Sequence, residues 1–157
     1  MSIKHGGNIY RIARQKGLRP DDIIDFSANI NPLGYSSRIK KILPYLGTAL
    51  LNYPDPDAYA FIQALAAYHR LPPEYFLAGN GSTEFIYSLP ALINPKSVLI
   101  VTPAFTEYAH SYRYTKVNIS FFQTREQHDF KLQQQQLCNE LKKGYSALYL
   151  CNPANPT

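Results

Sequence analysis

Val98-Leu99-Ile100-Val101, Val117-Asn118-Ile119-Ser120-Phe121-Phe122 and Ala147-Leu148-Tyr149-Leu150-Cys151 are the runs whose reading decides the fold. Between them lie Thr106–Tyr114 and Leu132–Lys143, both with the spacing of short helices. Strands of about five residues alternating with helices of about ten predict βαβ units and a mostly parallel sheet. The first and last runs are apolar without alternation, as expected of strands covered on both faces. The expected class is α/β.

Working outward toward the N-terminus, a helix is expected from Ser82 through Phe85, Ile86, Leu89 and Leu92, stopping before Pro95. Phe76-Leu77-Ala78 reads as a very short strand ahead of Gly79-Asn80-Gly81. Asp57 is expected to cap a helix from Ala58 to about His69, with Phe61, Ile62, Leu65 and Tyr68 on its apolar face. Asn52-Tyr53-Pro54-Asp55-Pro56 reads as an extended loop, because a residue before proline is pushed out of the helical region. Ser36–Leu46 reads as a short helix and Ile23–Ala28 as a strand, followed by loop chemistry over Asn29–Gly34. The first helix is expected over 7–16, stopped by Gly17.

Composition narrows the function classes. The chain has 157 residues, 45% of them hydrophobic and 17% charged, which suits a folded core and excludes an intrinsically disordered chain. No run reaches the roughly 20 apolar residues of a membrane-spanning helix, and Met1–Gly7 lacks the apolar stretch of a signal peptide. A cytoplasmic chain with no membrane partner is the expectation. The net charge of +5 is scattered; only Arg38–Lys41 and Lys142–Lys143 form small clusters, so no nucleic-acid partner is expected. Cys138 and Cys151 read as reduced, buried cysteines, and the four histidines show no ligand spacing, so no metal is expected. Ser37-Arg38-Ile39-Lys40 matches a serine-hydrolase pattern, but its companion elements are missing.

Several loops carry polar chemistry at the expected strand ends. Gly81-Ser82-Thr83 opens a helix, so it is either an ordinary hydroxyl cap or a turn whose free N–H groups hold a phosphate. Phe105, in Pro103-Ala104-Phe105, is core filler or a ring offering its face to a flat ligand. Asn155-Pro156-Thr157 and Asn52-Tyr53-Pro54 are turns or binding segments. Asn29 and Asn31 suit Asx-turns, and His5 sits near a terminus. Each is ordinary alone; their order and spacing make the case. The chain ends directly after a buried strand, at the position where α/β proteins bind ligands, and is read as a fragment.

In that order, Asn52-Tyr53-Pro54, Gly81-Ser82-Thr83, Pro103-Ala104-Phe105 and Asn155-Pro156-Thr157 resemble the fold-type I pyridoxal-phosphate enzymes, the aspartate-aminotransferase-like superfamily. His5-Gly6-Gly7-Asn8-Ile9-Tyr10 and Asp25–Gly34 resemble, within it, the threonine-phosphate decarboxylases of cobalamin biosynthesis. Histidinol-phosphate aminotransferases, the alternative, usually carry an acidic residue where this chain has Ile30. The resemblance implies an N-terminal arm and small-domain segment over 1–50 and part of the cofactor-binding large domain over 51–157. It implies pyridoxal 5'-phosphate as cofactor, a small phosphorylated amino acid as substrate, and a homodimer. Gly81, Ser82 and Thr83 would bind the cofactor phosphate, Phe105 would stack on the pyridine ring, and Asn155 would donate to its phenolate oxygen. Tyr53 would reach the phosphate of the neighbouring subunit, and His5 and Asn29 would face the substrate. The family's cofactor-attaching lysine would lie downstream of residue 157, so the chain alone is expected to be inactive. Its sheet face around Val98–Val101 is expected to lack cover.

Overall fold

The computed structural model describes residues 7–154, and the chain divides into two compact units, Met1–Gln63 and Ala64–Thr157. Their elements follow from local chemistry. Helix α1, Ile9–Lys16, begins where the Asn8 side chain accepts from the Arg11 N–H at 3.0 Å. It ends at Gly17, whose φ of 65° is the left-handed conformation glycine adopts without strain.

The expected helix over Ser36–Leu46 is broken in two. Helix α2 covers Ser37–Ile42, with Ser36 Oγ accepting from the Ile39 N–H, and a 3-10 turn at Leu43–Tyr45 leads to α3, Leu46–Ala49. Pro44 has no N–H to continue the α-helical ladder, which accounts for the break.

Ile23–Ala28 does not form the expected strand. The Asp25 carboxylate instead accepts from Ser27 twice, from its N–H at 2.7 Å and its hydroxyl at 2.6 Å. A side chain that bonds its own neighbouring backbone offers the segment an alternative to a ladder. The same two bonds hold the Asp25 carboxyl below its ordinary range.

Helix α4, Tyr59–His69, starts one residue late because Asp55, and not Asp57, caps it: its carboxylate accepts from the Tyr59 N–H at 2.8 Å and the Asp57 N–H at 3.0 Å. On this helix Ala66 is buried, whereas Phe61 and Tyr68 of the expected apolar face are exposed.

In the second unit, Phe76–Ala78 has no strand partner among the described residues; a 3-10 turn at Pro73–Tyr75 precedes it and the Phe76 ring stacks on His69. Helix α5, Ser82–Ile93, buries Ile86 and Pro90 and leaves Leu92 exposed. Strand β1, Ser97–Thr102, is followed by α6, Glu107–His110, shorter than the expected Thr106–Tyr114. Beyond it, hydrogen bonds from the Arg113 and Thr115 N–H groups to carbonyls three residues back carry the chain through turns instead.

Strand β2, Asn118–Gln123, helix α7, Gln134–Leu141, and strand β3, Ala147–Tyr149, complete the order. The last strand stops before Leu150, and Cys151 Sγ donates to the Pro153 carbonyl at 3.3 Å outside the ladder. Cys138 is exposed on α7, not buried, and both cysteines are free thiols.

The sheet is parallel, in the order β2-β1-β3, with Val98 level with Ile119 on one side and with Ala147 on the other. Its centre carries the core. Val98 and Leu99 are fully buried and Ile100 is 2% exposed, and Tyr112 packs with Val98 and Ile100. The expectation that this face would lie uncovered is therefore corrected: the flanking strands, Tyr108, Tyr112 and Val117 already cover it. Burying three such aliphatic side chains stabilises the unit by about 1.5–3 kcal/mol each. Among the described residues no helix is long and apolar enough to cross a membrane.

Candidate functional site

The turn ahead of α5 is built from two glycines with different duties. A Cβ on Gly79 would stand 2.6 Å from Cζ of Phe85, so the ring of Phe85 lies directly against this backbone. Gly81 has φ 80°, a conformation side chains resist, and no atom lies within 4 Å of where its Cβ would be. The approach to the helix end is open at Gly81.

Gly81 also occupies the N-cap position, and no side chain caps the first turn. The ordinary reading, in which the Ser82 or Thr83 hydroxyl bonds a backbone N–H near Glu84, is thereby overturned. Glu84 does the securing instead, turning back to accept from the Asn80 N–H at 2.5 Å and its side-chain amide at 3.2 Å. Ser82 and Thr83 are exposed, and among the described residues neither hydroxyl has a hydrogen-bond partner. Unpaired first-turn amides, the positive end of the helix and two idle hydroxyls together suit a phosphate dianion.

Phe105 follows β1 and is half-buried, edge-on to Tyr108 with centroids 6.0 Å apart. Tyr108 lies 5.3 Å from the ring of Tyr149 on β3. Interaction with the nearby Cys151 side chain, then burial, pushes the Tyr108 phenol up to about 12. The hydroxyls of Tyr112 and Tyr149 meet at 3.1 Å on the same side. Next to Phe105, the Thr106 hydroxyl is buried and among the described residues has no hydrogen-bond partner, an orphan polar atom of the kind that a ligand or a further segment satisfies.

The turn and the Phe105 segment are tied through their helices: the Tyr87 hydroxyl on α5 donates to the Glu107 carboxylate on α6, which also faces His110 Nδ1 at 3.5 Å. This bond raises the Tyr87 phenol above its ordinary range. A cavity of about 380 Å³ opens at the carboxyl ends of β1 and β3, between Val101, Pro103, Phe130, Leu150, Cys151 and Asn152. Its place accords with ligand binding beyond the strand ends of α/β sheets. Neither Thr83 nor Phe105 lines it.

In the first unit the two most distinctive sequence segments meet. The Gly7 N–H donates to Ser27 Oγ at 2.8 Å, and Gly7, at φ 79°, has the Ala28 Cβ 3.4 Å from where its own would stand. Any side chain at Gly7 would therefore press on the segment that carries Asn29. Asn29 itself is exposed, and Asn31 forms the expected Asx-turn, accepting from the Leu33 N–H at 3.0 Å and donating to the Gly34 carbonyl at 2.8 Å. Tyr53 is 99% exposed. His5 and Asn155 lie outside the described residues. Glu84, Thr106, Tyr108 and Cys151 were not legible as site neighbours in the sequence. Only the P-x-F-x-x-Y spacing from Pro103 to Tyr108 could have drawn attention to one of them.

Comparisons with known proteins agree with this architecture. The chain is 39% identical over 153 residues to threonine-phosphate decarboxylase of Salmonella typhimurium strain LT2, covering 98% of this chain and 42% of that protein. It is 31% identical over 149 residues to histidinol-phosphate aminotransferase of Methanococcus maripaludis strain C6, covering 93% and 40%. The crystal structure of L-threonine-O-3-phosphate decarboxylase from Porphyromonas gingivalis superposes with a TM-score of 0.67 at 25% identity, over 85% of this chain and 38% of that one. The chain thus spans about two fifths of the length of the curated relatives it matches. The fold is that of the pyridoxal-phosphate-dependent aminotransferase-like proteins, of which the parallel sheet and its helices form one part. With residues 21–157 matched by the model of aminotransferase class I and II, the chain belongs to that family.

Proposed function

We propose that these residues belong to a pyridoxal 5'-phosphate-dependent lyase that decarboxylates L-threonine O-3-phosphate to (R)-1-amino-2-propanol O-2-phosphate in cobalamin biosynthesis. Aminotransferases of class I and II and their decarboxylase relatives are pyridoxal-phosphate enzymes. The observation that carries the reading is the turn at Gly79–Thr83, which keeps its first-turn amides and two hydroxyls available. The residues fit the group: an open glycine at φ 80°, an uncapped helix start and, next to Phe105, an orphan buried hydroxyl at Thr106. The 39% identity to a threonine-phosphate decarboxylase favours that substrate.

In this reading Gly81, Ser82 and Thr83 hold the cofactor phosphate, and Phe105 lies against the ring and excludes water from one face. Asn155 donates a hydrogen bond to the ring's phenolate oxygen. His5 and Asn29 would fix the substrate through its phosphate or carboxylate and so set its orientation. Orientation of this kind selects which bond breaks. When bound, the cofactor supplies an electron sink for the carbanion left as CO2 departs.

The protein would act in the cytoplasm as a homodimer, with Tyr53 reaching the cofactor phosphate of the partner; its full exposure suits that task. Residues 1–50 would serve as arm and small-domain segment and 51–157 as part of the large domain. The second reading, a histidinol-phosphate aminotransferase, is favoured by the 31% identity to that enzyme.

One assay separates the two. Given to the full-length protein that carries these residues, L-threonine O-3-phosphate with added cofactor should release CO2 without an amino acceptor; keto product formed from histidinol phosphate only with 2-oxoglutarate would replace the decarboxylase reading. Ser82→Ala and Thr83→Ala should each weaken pyridoxal-phosphate binding about ten-fold or more, since each removes a hydrogen bond to a charged group. Unchanged affinity in both variants removes the turn from the site.

A further inference from the structure

We infer that Asp25 and Ser27 are positioning residues that clasp the chain ahead of α1 and so hold Asn29 in place for the substrate. The inference rests on the reading of Asn29 as a substrate-facing residue, and it names what fixes that residue. Asn29 is exposed and lies in a stretch, residues 23–36, with neither helix nor strand. Without a ladder or a helix, the backbone there is fixed only by the bonds made around it.

Those bonds are linked. The Gly7 N–H donates to Ser27 Oγ at 2.8 Å, across 20 residues of chain. The same hydroxyl donates to Asp25 Oδ1 at 2.6 Å, and that oxygen also accepts from the Ser27 N–H at 2.7 Å. A serine hydroxyl has one hydrogen to give and lone pairs to receive, so it accepts on one side while donating on the other. Its two bonds hold the Asp25 carboxyl below its ordinary 3.8, so the final acceptor is charged at neutral pH, and charge strengthens such bonds.

After the serine, the Ile30 N–H donates to the Ala28 carbonyl at 2.9 Å, closing a three-residue turn with Asn29 at its centre. The Asn31 turn then fixes the exit. At the other end of the clasp, Gly7 directly precedes Asn8, the cap of α1, so the loop is tied to the start of a helix. Glycine suits that place: its φ is 79°, and a Cβ there would stand 3.4 Å from the Ala28 Cβ. Asn29 thus sits between two bonded flanks. Its amide can donate to a phosphate or carboxylate oxygen without first ordering its own loop.

The test uses the full-length protein that carries these residues, with L-threonine O-3-phosphate as probe. Ser27→Ala breaks the clasp on both sides, whereas Ser27→Thr keeps a hydroxyl. Ser27→Ala should raise KM about five-fold, the value of one net hydrogen bond, and leave kcat and pyridoxal-phosphate affinity within about two-fold. Ser27→Thr should keep all three within about two-fold. Asp25→Asn retains an acceptor oxygen but loses the charge, and should raise KM about two- to three-fold; it carries the comparison if Ser27→Ala does not fold. Because Ser27 acts through Asn29, adding Ser27→Ala to Asn29→Ala should change KM by less than about two-fold. Amide exchange reads the clasp without catalysis: the Gly7 N–H should be protected, and should exchange at least about five-fold faster in Ser27→Ala.

An unchanged KM in Ser27→Ala overturns the inference. So do effects of Ser27→Ala and Asn29→Ala that multiply, the mark of a serine that only supports the fold, and a Gly7 amide that already exchanges freely. If Asn29→Ala still raises KM in those cases, the substrate reading stands without the clasp. An Asn29→Ala variant with unchanged KM, or a full-length protein that does not turn over the probe, removes both.

Discussion

The two compact units use similarly apolar sequence to opposite ends. In Met1–Gln63, only Ala13 is buried among the described residues, and every residue from 29 to 57 is exposed, including Ile30, Leu33, Leu50 and Leu51. In Ala64–Thr157, the apolar run Val98–Ile100 is buried and forms the centre of the core. The difference lies in the range of the bonds. The first unit is held largely by bonds between residues two to five apart: the Asn8, Ser36 and Asp55 caps, the Asp25–Ser27 turn and the Asn31 turn. The second joins segments about 20 and 50 residues apart through β1, as in the pairs Val98 with Ile119 and Val98 with Ala147. Local bonds shape a backbone, but burial needs a second surface, which here the parallel ladder brings.

The largest expected effect tests that contrast at the centre of the sheet. Leu99→Ala removes a side chain with no exposure and should cost about 2–5 kcal/mol, read as a lower urea midpoint for the second unit. A cost under about 1 kcal/mol would mean that the sheet can close around the gap, and that the core is less decisive than its burial implies. Asp55→Ala should cost about 1 kcal/mol, localised to α4 and visible as faster amide exchange in its first turn. If exchange in α4 is unaltered, Asp57 can take over the cap, and local bonds are less specific than the structure indicates.

The smallest effect is expected at Phe26, which is 94% exposed. Phe26→Ala should leave stability within about 0.5 kcal/mol of the unsubstituted chain in urea unfolding. A larger loss would show that the first unit buries this ring in solution, and would erase the contrast.

The helices α1, α4, α5 and α7, and the strands β1 and β2, were legible to within a few residues, because each has a periodic or continuous apolar pattern bounded by glycine, proline or a capping residue. The two misread strands, Ile23–Ala28 and Phe76–Ala78, have apolar runs that a strand would also show. What they lack is a partner, and no run of residues declares its partner. The choice of Asp57 over Asp55 failed for a related reason: both acids precede the helix, and only the backbone path through Ala58, at φ 45°, decides which carboxylate reaches the first amides. At the site, Gly81, Ser82, Thr83 and Phe105 could be placed from motif order. Glu84's return to Asn80 could not, since a glutamate at the third helical position looks equally ready to pair with Ser82 or Thr83 as a capping box.

What the sequence determined by itself is the set of things that act over a turn or less: where glycine must open the backbone, which side chains can cap, and which short runs are apolar enough for a buried strand. Its motif order carried the family as well. The tertiary structure alone decided which strands pair and in what register, which of two aspartates caps, and that the hydroxyls of Tyr112 and Tyr149 meet. The cap depends on the backbone path through Ala58, and the other outcomes on groups tens of residues apart arriving within about 3 Å of each other, a distance at which hydrogen bonds form and which no local pattern encodes.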